Sequence, residues 1–386
     1  MTGSIADKWK MVRLGDVSKL ISGRDLVPEQ YNDQNNGIPY ITGASNIDDG
    51  CVIINRWTTE PVVISNPDDI LITCKGTVGL TAFNNFGICH LARQIMAIRA
   101  DTNIVDKKYL KYAVDGSFLK LLRKARSMIP GVSREDILSL TLPLPPLDEQ
   151  KRIADVLDKA SELITKRKEQ IRLMDELAKS LFIEMFGDPV ENPMGWDIVN
   201  IEDMCSEIVD CPHSTPIHSD VPTNYPSIRT SELQHGYINW ASMKYVDENE
   251  YLKRITRIKP EKNDIIYGRE GSYGDAVILP DGYSFCLGQR VMLLRRDKKK
   301  CHYIFLWAML CSDYVYNQAK EKNVGATVGH VNVGDIKKFT ILSPPLPLQK
   351  EFADRIDAIE QQKALLQNGL AKMETAYKAL MQEYFG

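Results

Sequence analysis

The stretch Asp148-Glu-Gln-Lys-Arg-Ile-Ala-Asp-Val-Leu-Asp-Lys-Ala-Ser-Glu-Leu-Ile-Thr-Lys-Arg-Lys-Glu-Gln-Ile-Arg-Leu-Met-Asp-Glu-Leu-Ala-Lys-Ser-Leu-Phe-Ile-Glu-Met-Phe-Gly187 decides the fold. It has no proline, and no glycine before Gly187, and a proline-rich lead, Leu142 to Pro146, precedes it. Asp148 is placed as an N-cap accepting from the first free amides. Ile153, Leu157, Ala160, Ile164, Arg167, Ile171, Met174, Ala178, Leu181 and Met185 recur at 4-3-4-3 spacing. A heptad seam of this length predicts a helix that needs a partner along its whole length.

The partner is in the same chain. Phe352, Ile356, Ile359, Lys363, Leu366, Leu370, Met373, Tyr377, Leu380 and Tyr384 repeat the seam without a gap, each 199 positions after its counterpart (352 against 153). Leu181 to Gly187 answers to Leu380 to Gly386, and the polar exceptions are offset, Arg167 matching Leu366 and Lys363 matching Ile164. Two helices of one chain with matching seams can bury each other. Two separate amphipathic helices, each lying on its own domain, are the alternative.

The segments before the helices repeat as well. Trp9 to Val17 parallels Trp196 to Met204, Asp69 to Gly79 parallels Asp264 to Gly274, and Gln94 to Arg99 parallels Arg290 to Arg295. The offset rises from 187 (196 against 9) to 199, so the second unit carries about a dozen extra residues. The chain therefore reads as a duplication, with globular units at 1–147 and 188–348 and helices at 148–187 and 349–386. The fold class is α+β, with mixed, β-rich heads. Short strand-like runs such as Ile70-Leu-Ile-Thr73 and Ile265-Ile-Tyr267 alternate with Gly, Asn, Asp and Pro clusters. Helical stretches are expected at 107–126 and 303–322. Gly76-Thr-Val-Gly79 and Gly271-Ser-Tyr-Gly274 each follow a strand-like run, where glycine permits a tight turn or the close approach of a ligand.

Composition bounds the function. The 386 residues carry 48 Lys and Arg against 51 Asp and Glu, a net charge of −3, so any polyanion must be met by local patches. No run of 18 apolar residues suggests a membrane span and no signal-peptide core is visible, so the expected location is the cytoplasm. The eight cysteines contain no C-x-x-C pair, which suits reduced thiols. Cys205, Cys211, His213 and His218 are close in sequence but fit no standard zinc finger. There is no P-loop, no G-x-S-x-G and no H-E-x-x-H, and no catalytic or metal-ligating constellation is read.

The tail of each globular unit, Leu142-Pro-Leu-Pro-Pro-Leu-Asp-Glu-Gln-Lys-Arg-Ile-Ala-Asp155 and Ser343-Pro-Pro-Leu-Pro-Leu-Gln-Lys-Glu-Phe-Ala-Asp354, resembles the specificity subunits of type I restriction–modification systems. The turns Lys75 to Gly79 and Arg269 to Gly274, and the doubled plan, are similar too. The resemblance covers the full length. It implies two target recognition domains, each reading one half of a bipartite site on double-stranded DNA, and two helices pairing as an antiparallel coiled-coil spacer. It also implies methyltransferase (modification) subunits docked on this chain, joined by restriction/translocase subunits. S-adenosylmethionine, ATP and Mg would then be used by those partners, with no cofactor bound here. A helix of roughly 38 residues would be about 57 Å long, more than one DNA turn of about 34 Å.

Base edges are read best by side chains making two hydrogen bonds. The expected DNA contacts are Lys75, Gly76, Thr77, Arg93 and Gln94 in the first unit and Arg269, Gly271, Ser272, Gln289, Arg290, His330 and Asn332 in the second. Phosphate contacts are expected from Lys120, Arg123, Lys124 and Arg126, and from Arg295, Arg296 and Lys298 to Lys300, although a solvated face would look the same. Helix pairing is assigned to Ile153, Leu157, Ile164, Ile171, Met174, Leu181, Phe352, Ile356, Leu366, Leu370, Met373 and Leu380. Ile183, Phe186, Phe352 and Phe385 are expected as exposed apolar helix surface. Two other readings stand beside this one: a two-headed protein-interaction scaffold with a coiled-coil core, and the recognition end of a fused enzyme. The second conflicts with a chain that begins and ends in register with its own repeat.

Overall fold

Ile70-Leu-Ile-Thr73 is apolar at nearly every position because its sheet is covered on both faces. In a computed structural model, which describes residues 8–48, 50–124, 131–234, 236–271, 274–322 and 330–386, this strand lies inside a four-stranded antiparallel sheet. The order is Ser18–Ser22, Ile95–Ala100, Ile70–Thr73, Thr81–Phe83, with Ile98 paired to both Leu20 and Ile70. Successive strand residues point to opposite faces. Ile70, Ile72 and Ile98 therefore join one core with the helix Lys107–Lys124, while Leu71 and Ala97 join another. The latter packs against a second sheet in which Ile38–Ile41 and Cys89–Leu91 run parallel.

The second unit repeats the plan. Its sheet runs Cys205–Asp210, Val291–Arg296, Ile265–Gly268, Ala276–Ile278, with a bulge between Cys205 and Glu207. Ile265 and Tyr267 enter the helix-side core, and Ile266 and Leu293 the other. Again a parallel pair, Pro226–Ile228 with Cys286–Leu287, forms the facing sheet.

The two long helices span Leu147–Phe186 and Leu346–Phe385, 40 residues each, or about 60 Å at 1.5 Å per residue. Each is divided between the compact units. The first unit comprises 1–169 and 367–386, the second 170–366. In the first unit Arg152 lies beside Tyr384, and a Cβ built on Gly369 would fall 2.4 Å from Arg167 Nη1. In the second, Lys363 Nζ contacts Asp175 Oδ1, and the Phe182 and Phe352 rings meet edge-on at 5.7 Å. Residue numbers fall along one helix as they rise along the other, so within each unit the helices run antiparallel. Every seam position is buried or half-buried, whereas Leu163, Leu173 and Leu177 face outward. The polar seam residues have local answers. Arg167 lies over Gly369, the one glycine of that helix, and Lys363 meets a carboxylate.

Each helix is fixed to its head by a buried glutamine. Gln150 Nε2 donates to Ile104 O (3.2 Å) and Pro145 O (2.8 Å), and its Oε1 accepts from Asp106 N (2.8 Å). Gln349 repeats the set with Lys300 O (3.3 Å), Pro344 O (2.8 Å) and His302 N (2.8 Å).

Four expectations change. Asp148 is not the N-cap: Gln150 N already bonds Pro146 O, so the helix starts at Leu147 and Asp148 lies in its first turn. The second helix starts at Leu346 rather than 349, because Pro347 in the first turn lacks only an amide with no intrahelical partner. The stretch 303–322 is two helices, Tyr303–Leu310 and Asp313–Glu321, since Ser312 caps the second by accepting from Val315 N; in the first unit, 125 and 126 lie outside the described residues. Finally, Phe186, Phe352 and Phe385 are fully buried, because the helix ends enter the cores of the heads. Only Ile183 is exposed as expected, at 50%.

Candidate nucleic-acid interface

Three loops meet at one end of each central sheet. In the first unit they follow Thr73, precede Ile95 and lead into the short helix Arg134–Leu138. Cys74 N donates to Gln94 O (2.9 Å), Val132 N donates to Cys74 O (2.8 Å), and Lys75 pairs with Gly131 across a single bridge. The second unit makes the same three links. Arg269 N donates to Arg290 O (2.9 Å), Val331 N donates to Arg269 O (2.9 Å), and Glu270 pairs with His330. One backbone frame is thus built twice, with Lys75 and Glu270 at the same place in it.

The turn glycines divide into two kinds. Gly76 and Gly271 have φ of 72° and 71°, and a Cβ on either would meet nothing within 4 Å, so these residues shape an open, exposed turn. Gly79 and Gly274 face inward: a Cβ would fall 2.4 Å from the Phe118 ring and 2.7 Å from the Tyr316 ring. The glycine pattern therefore serves the turn at one position and close packing against a helix at the other.

The structure brings most of the expected contacts to these loop ends. Lys75, Gly76, Thr77, Arg93 and Gln94 are exposed there in the first unit. Arg93 is held by Asp25, which accepts from its backbone N (3.0 Å) and forms an ion pair with its Nε (2.7 Å). Gln94 Oε1 occupies space that a side chain on Gly43 would fill. In the second unit Gly271, Arg290, His330 and Asn332 are exposed and Gln289 half-buried. Glu270 joins Arg290 Nε (3.2 Å) to His330 Nδ1 (2.9 Å), His330 Nε2 reaches Asn332 Oδ1 (3.3 Å), and Gln289 donates to Thr215 Oγ1 (3.0 Å).

Other expected contacts are not at the surface, or not at this end. Arg269 is 5% exposed and paired with Asp210 at 3.1 Å, because the residue before the exposed turn points inward. Arg295 is not a phosphate contact: its Nε and Nη2 take both oxygens of buried Asp264 (2.9 and 2.7 Å), as Arg99 does with Asp69 in the first unit. These carboxylates raise both guanidinium pKa values, the hydrogen bond being the main cause. Arg296 donates to Cys301 O and lies over the Tyr303 ring, and Lys300 donates to Asp203 O. Lys298 and Lys299 are exposed, but six strand residues separate them from Arg290, about 20 Å at 3.3 Å per residue, so they sit at the opposite end of the sheet. Ser272 and Arg126 lie outside the described residues, as do the side chains of Lys120, Arg123 and Lys124. The sequence reading missed Asp25, Asp210 and Thr215; they come from distant segments and no spacing announces them.

A duplicated head with one loop frame and two sets of side chains, each head joined to a long helix, defines a two-headed recognition protein. The chain matches the type I restriction modification DNA specificity domain over residues 6–173 and 193–375, one match per repeat, and belongs to that family. It is 24% identical over 399 residues to the type I restriction enzyme MjaVIII specificity subunit of Methanocaldococcus jannaschii, covering 98% of this chain and 92% of that one. It is 19% identical over 421 residues to the EcoBI specificity subunit of Escherichia coli, covering 99% and 86%. Among solved structures, the crystal structure of the type I restriction–modification S subunit from M. genitalium aligns with a TM-score of 0.60 at 15% identity, over 98% of this chain and 96% of that one. The fold is thus shared where few residues are. No helix among the described residues is long and apolar enough to cross a membrane.

Proposed function

We propose that this chain is the DNA-reading subunit of a type I restriction–modification assembly, with no catalysis of its own. Each loop cluster reads one half of a bipartite duplex target. The long helices set the distance between the halves and carry methyltransferase subunits, with restriction/translocase subunits joining them. S-adenosylmethionine, ATP and Mg belong to those partners. The observation that carries this reading is the doubled loop frame: three identical backbone links in each unit, presenting Lys75, Arg93 and Gln94 in one and Glu270, Arg290 and His330 in the other. A frame kept constant under differing side chains is what two readers of different sequences require. The outward leucines at 163, 173 and 177 supply apolar surface for a docked subunit.

The test is co-purification with the methyltransferase encoded beside the gene, followed by mapping of adenine methylation on genomic DNA. Methylation at a motif of two half-sites with a fixed unspecified spacer is the expected result. Methylation at a continuous site discards the two-reader arrangement. Absence of both complex and methylation favours the protein-interaction scaffold.

A further inference from the structure

The two heads place an arginine and a glutamine at the same loop end in opposite order: Arg93-Gln94 in the first, Gln289-Arg290 in the second. In the duplication Arg93 aligns with Gln289 and Gln94 with Arg290, so the two arginines are not equivalent residues. Each is nevertheless held the same way. Asp25 takes Arg93 Nε at 2.7 Å, and Glu270 takes Arg290 Nε at 3.2 Å. The carboxylates are not equivalent either. Asp25 follows the edge strand Ser18–Ser22, whereas Glu270 follows the central strand Ile265–Gly268 and occupies the place of Lys75. Where the arginine has moved by one position, its support has moved to another loop.

From this geometry we infer that each head reads a G·C base pair through a carboxylate-supported arginine, Arg93 in the first and Arg290 in the second. Asp25 and Glu270 are the positioning residues. The inference rests on the DNA-reading function proposed above.

The physical reasons are three. A guanidinium has five donors in a rigid fork, and a carboxylate paired beside Nε restrains the side chain while donors of the fork remain for another partner. Among the described residues no hydrogen bond takes the terminal nitrogens, and the side chains are 66% and 58% exposed. Guanine is the base that offers two acceptors, O6 and N7, on one major-groove edge, at a spacing the fork matches. Arg290 also has φ of 65°, a conformation uncommon for a residue with a side chain. It is held there by the bond from Arg269 N to its carbonyl (2.9 Å). Strain kept at an exposed loop tip points to a side chain whose direction matters. An exposed ion pair of this kind adds little stability, so stability does not explain why it was built twice from different residues.

The experiment is methylome mapping with the intact methyltransferase complex, wild type and variants. The wild-type motif should contain a G·C pair, guanine on either strand, in each half. Arg93→Ala should relax one position in one half by roughly ten- to a hundredfold, leaving the other half and the spacing intact. Arg290→Ala should do the same in the other half. Asp25→Asn and Glu270→Gln should relax the same position as the arginine each supports, and less severely, a signature that mere loss of folding would not give. The unaltered half of each motif reports that the complex is assembled. A half-site without a G·C pair overturns the inference for that head. So does a variant that weakens methylation uniformly and lowers the salt dependence, which would make the arginine a phosphate contact. If a variant yields no complex, the wild-type motif alone decides. Methylation with no bipartite motif refutes the proposed function itself, a different outcome from a bipartite motif lacking guanine.

Discussion

Replacing Gln349 by Ala tests how firmly a helix is joined to its head. The side chain is fully buried and accounts for three backbone groups: it donates to Lys300 O and Pro344 O and accepts from His302 N. Truncation leaves two carbonyls and one amide without this partner in a site closed to solvent. A buried polar group left unpaired costs about 1–3 kcal/mol, so three cost roughly 3–6 kcal/mol after water enters the gap. That is a large share of the about 5–15 kcal/mol typical of a domain. Denaturant unfolding with hydrogen exchange followed by peptide is the assay, because it assigns the loss to a segment. Protection should fall at 300–304 and in the first turns of the helix beginning at Leu346. Gln349→Glu adds a second readout. A carboxylate can accept from His302 N but repels both carbonyls, so it must take up a proton to fit. Its folded pKa then lies above the unfolded value of about 4.3, and the loss should lessen as pH falls toward that value and deepen as pH rises through the folded pKa. A Gln349→Ala protein within about 0.5 kcal/mol of wild type, with unchanged protection at 300–304, would refute the assignment of the joint.

Phe385→Ala should cost the first unit about 3–5 kcal/mol by denaturant melting, since the ring is buried against Tyr109 at 5.5 Å and a cavity would remain. Gly79→Ala should be strongly destabilising in the same assay, with φ of 89° and the Phe118 ring 2.4 Å from the new Cβ, whereas Gly76→Asn, in open space at φ of 72°, should be nearly neutral. Lys363→Met should leave stability almost unchanged while Asp175→Ala lowers it, because the buried ammonium then keeps the Tyr237 hydroxyl (2.8 Å) but loses its paired carboxylate; equal losses in a thermal melt would contradict this. His302 is pushed down to about 4, chiefly by burial, so between about pH 6.5 and 4 the unfolded chain binds a proton the fold refuses and stability falls as pH drops. His302→Asn, which keeps a cap for Ile304 N, should flatten that part of the stability–pH curve.

The long helices were legible in the sequence because a seam is a local, periodic signal. Every position assigned to it, from Ile153 to Met185 and from Phe352 to Tyr384, is shielded in the structure. The duplication was legible for a similar reason: offsets survive even where identity does not. What failed depended on partners far away in the chain. Phe186, Phe352 and Phe385 looked exposed when each helix was considered alone, yet they close the cores of the heads. Arg269 looked like a reader because it flanks the turn, but Asp210, 59 positions earlier (269 against 210), draws it inside. Arg295 sat in a basic run whose appearance did not show that Asp264 already occupied it. The break at Ser312 was the exception, since a serine followed by an aspartate is a local capping signal that could have been read. The turns at the strand ends were legible because glycines mark them, whereas the partners of their side chains, Asp25 above all, carry no mark.

The division of the helices has a consequence for how the protein is made. The first unit needs residues 367–386, and Tyr384 and Phe385 sit in its core. At about 5–20 residues per second, the roughly 200 residues between Glu169 and Gln367 take on the order of 10–40 s to synthesise. The head translated first therefore waits with an open apolar face until residues 367–386 are made, while the second head can complete itself earlier. A stop introduced among codons 367–386 would strike not the second head, which directly precedes them, but the first. The ribosome thus finishes the two copies in the reverse of the order in which it starts them.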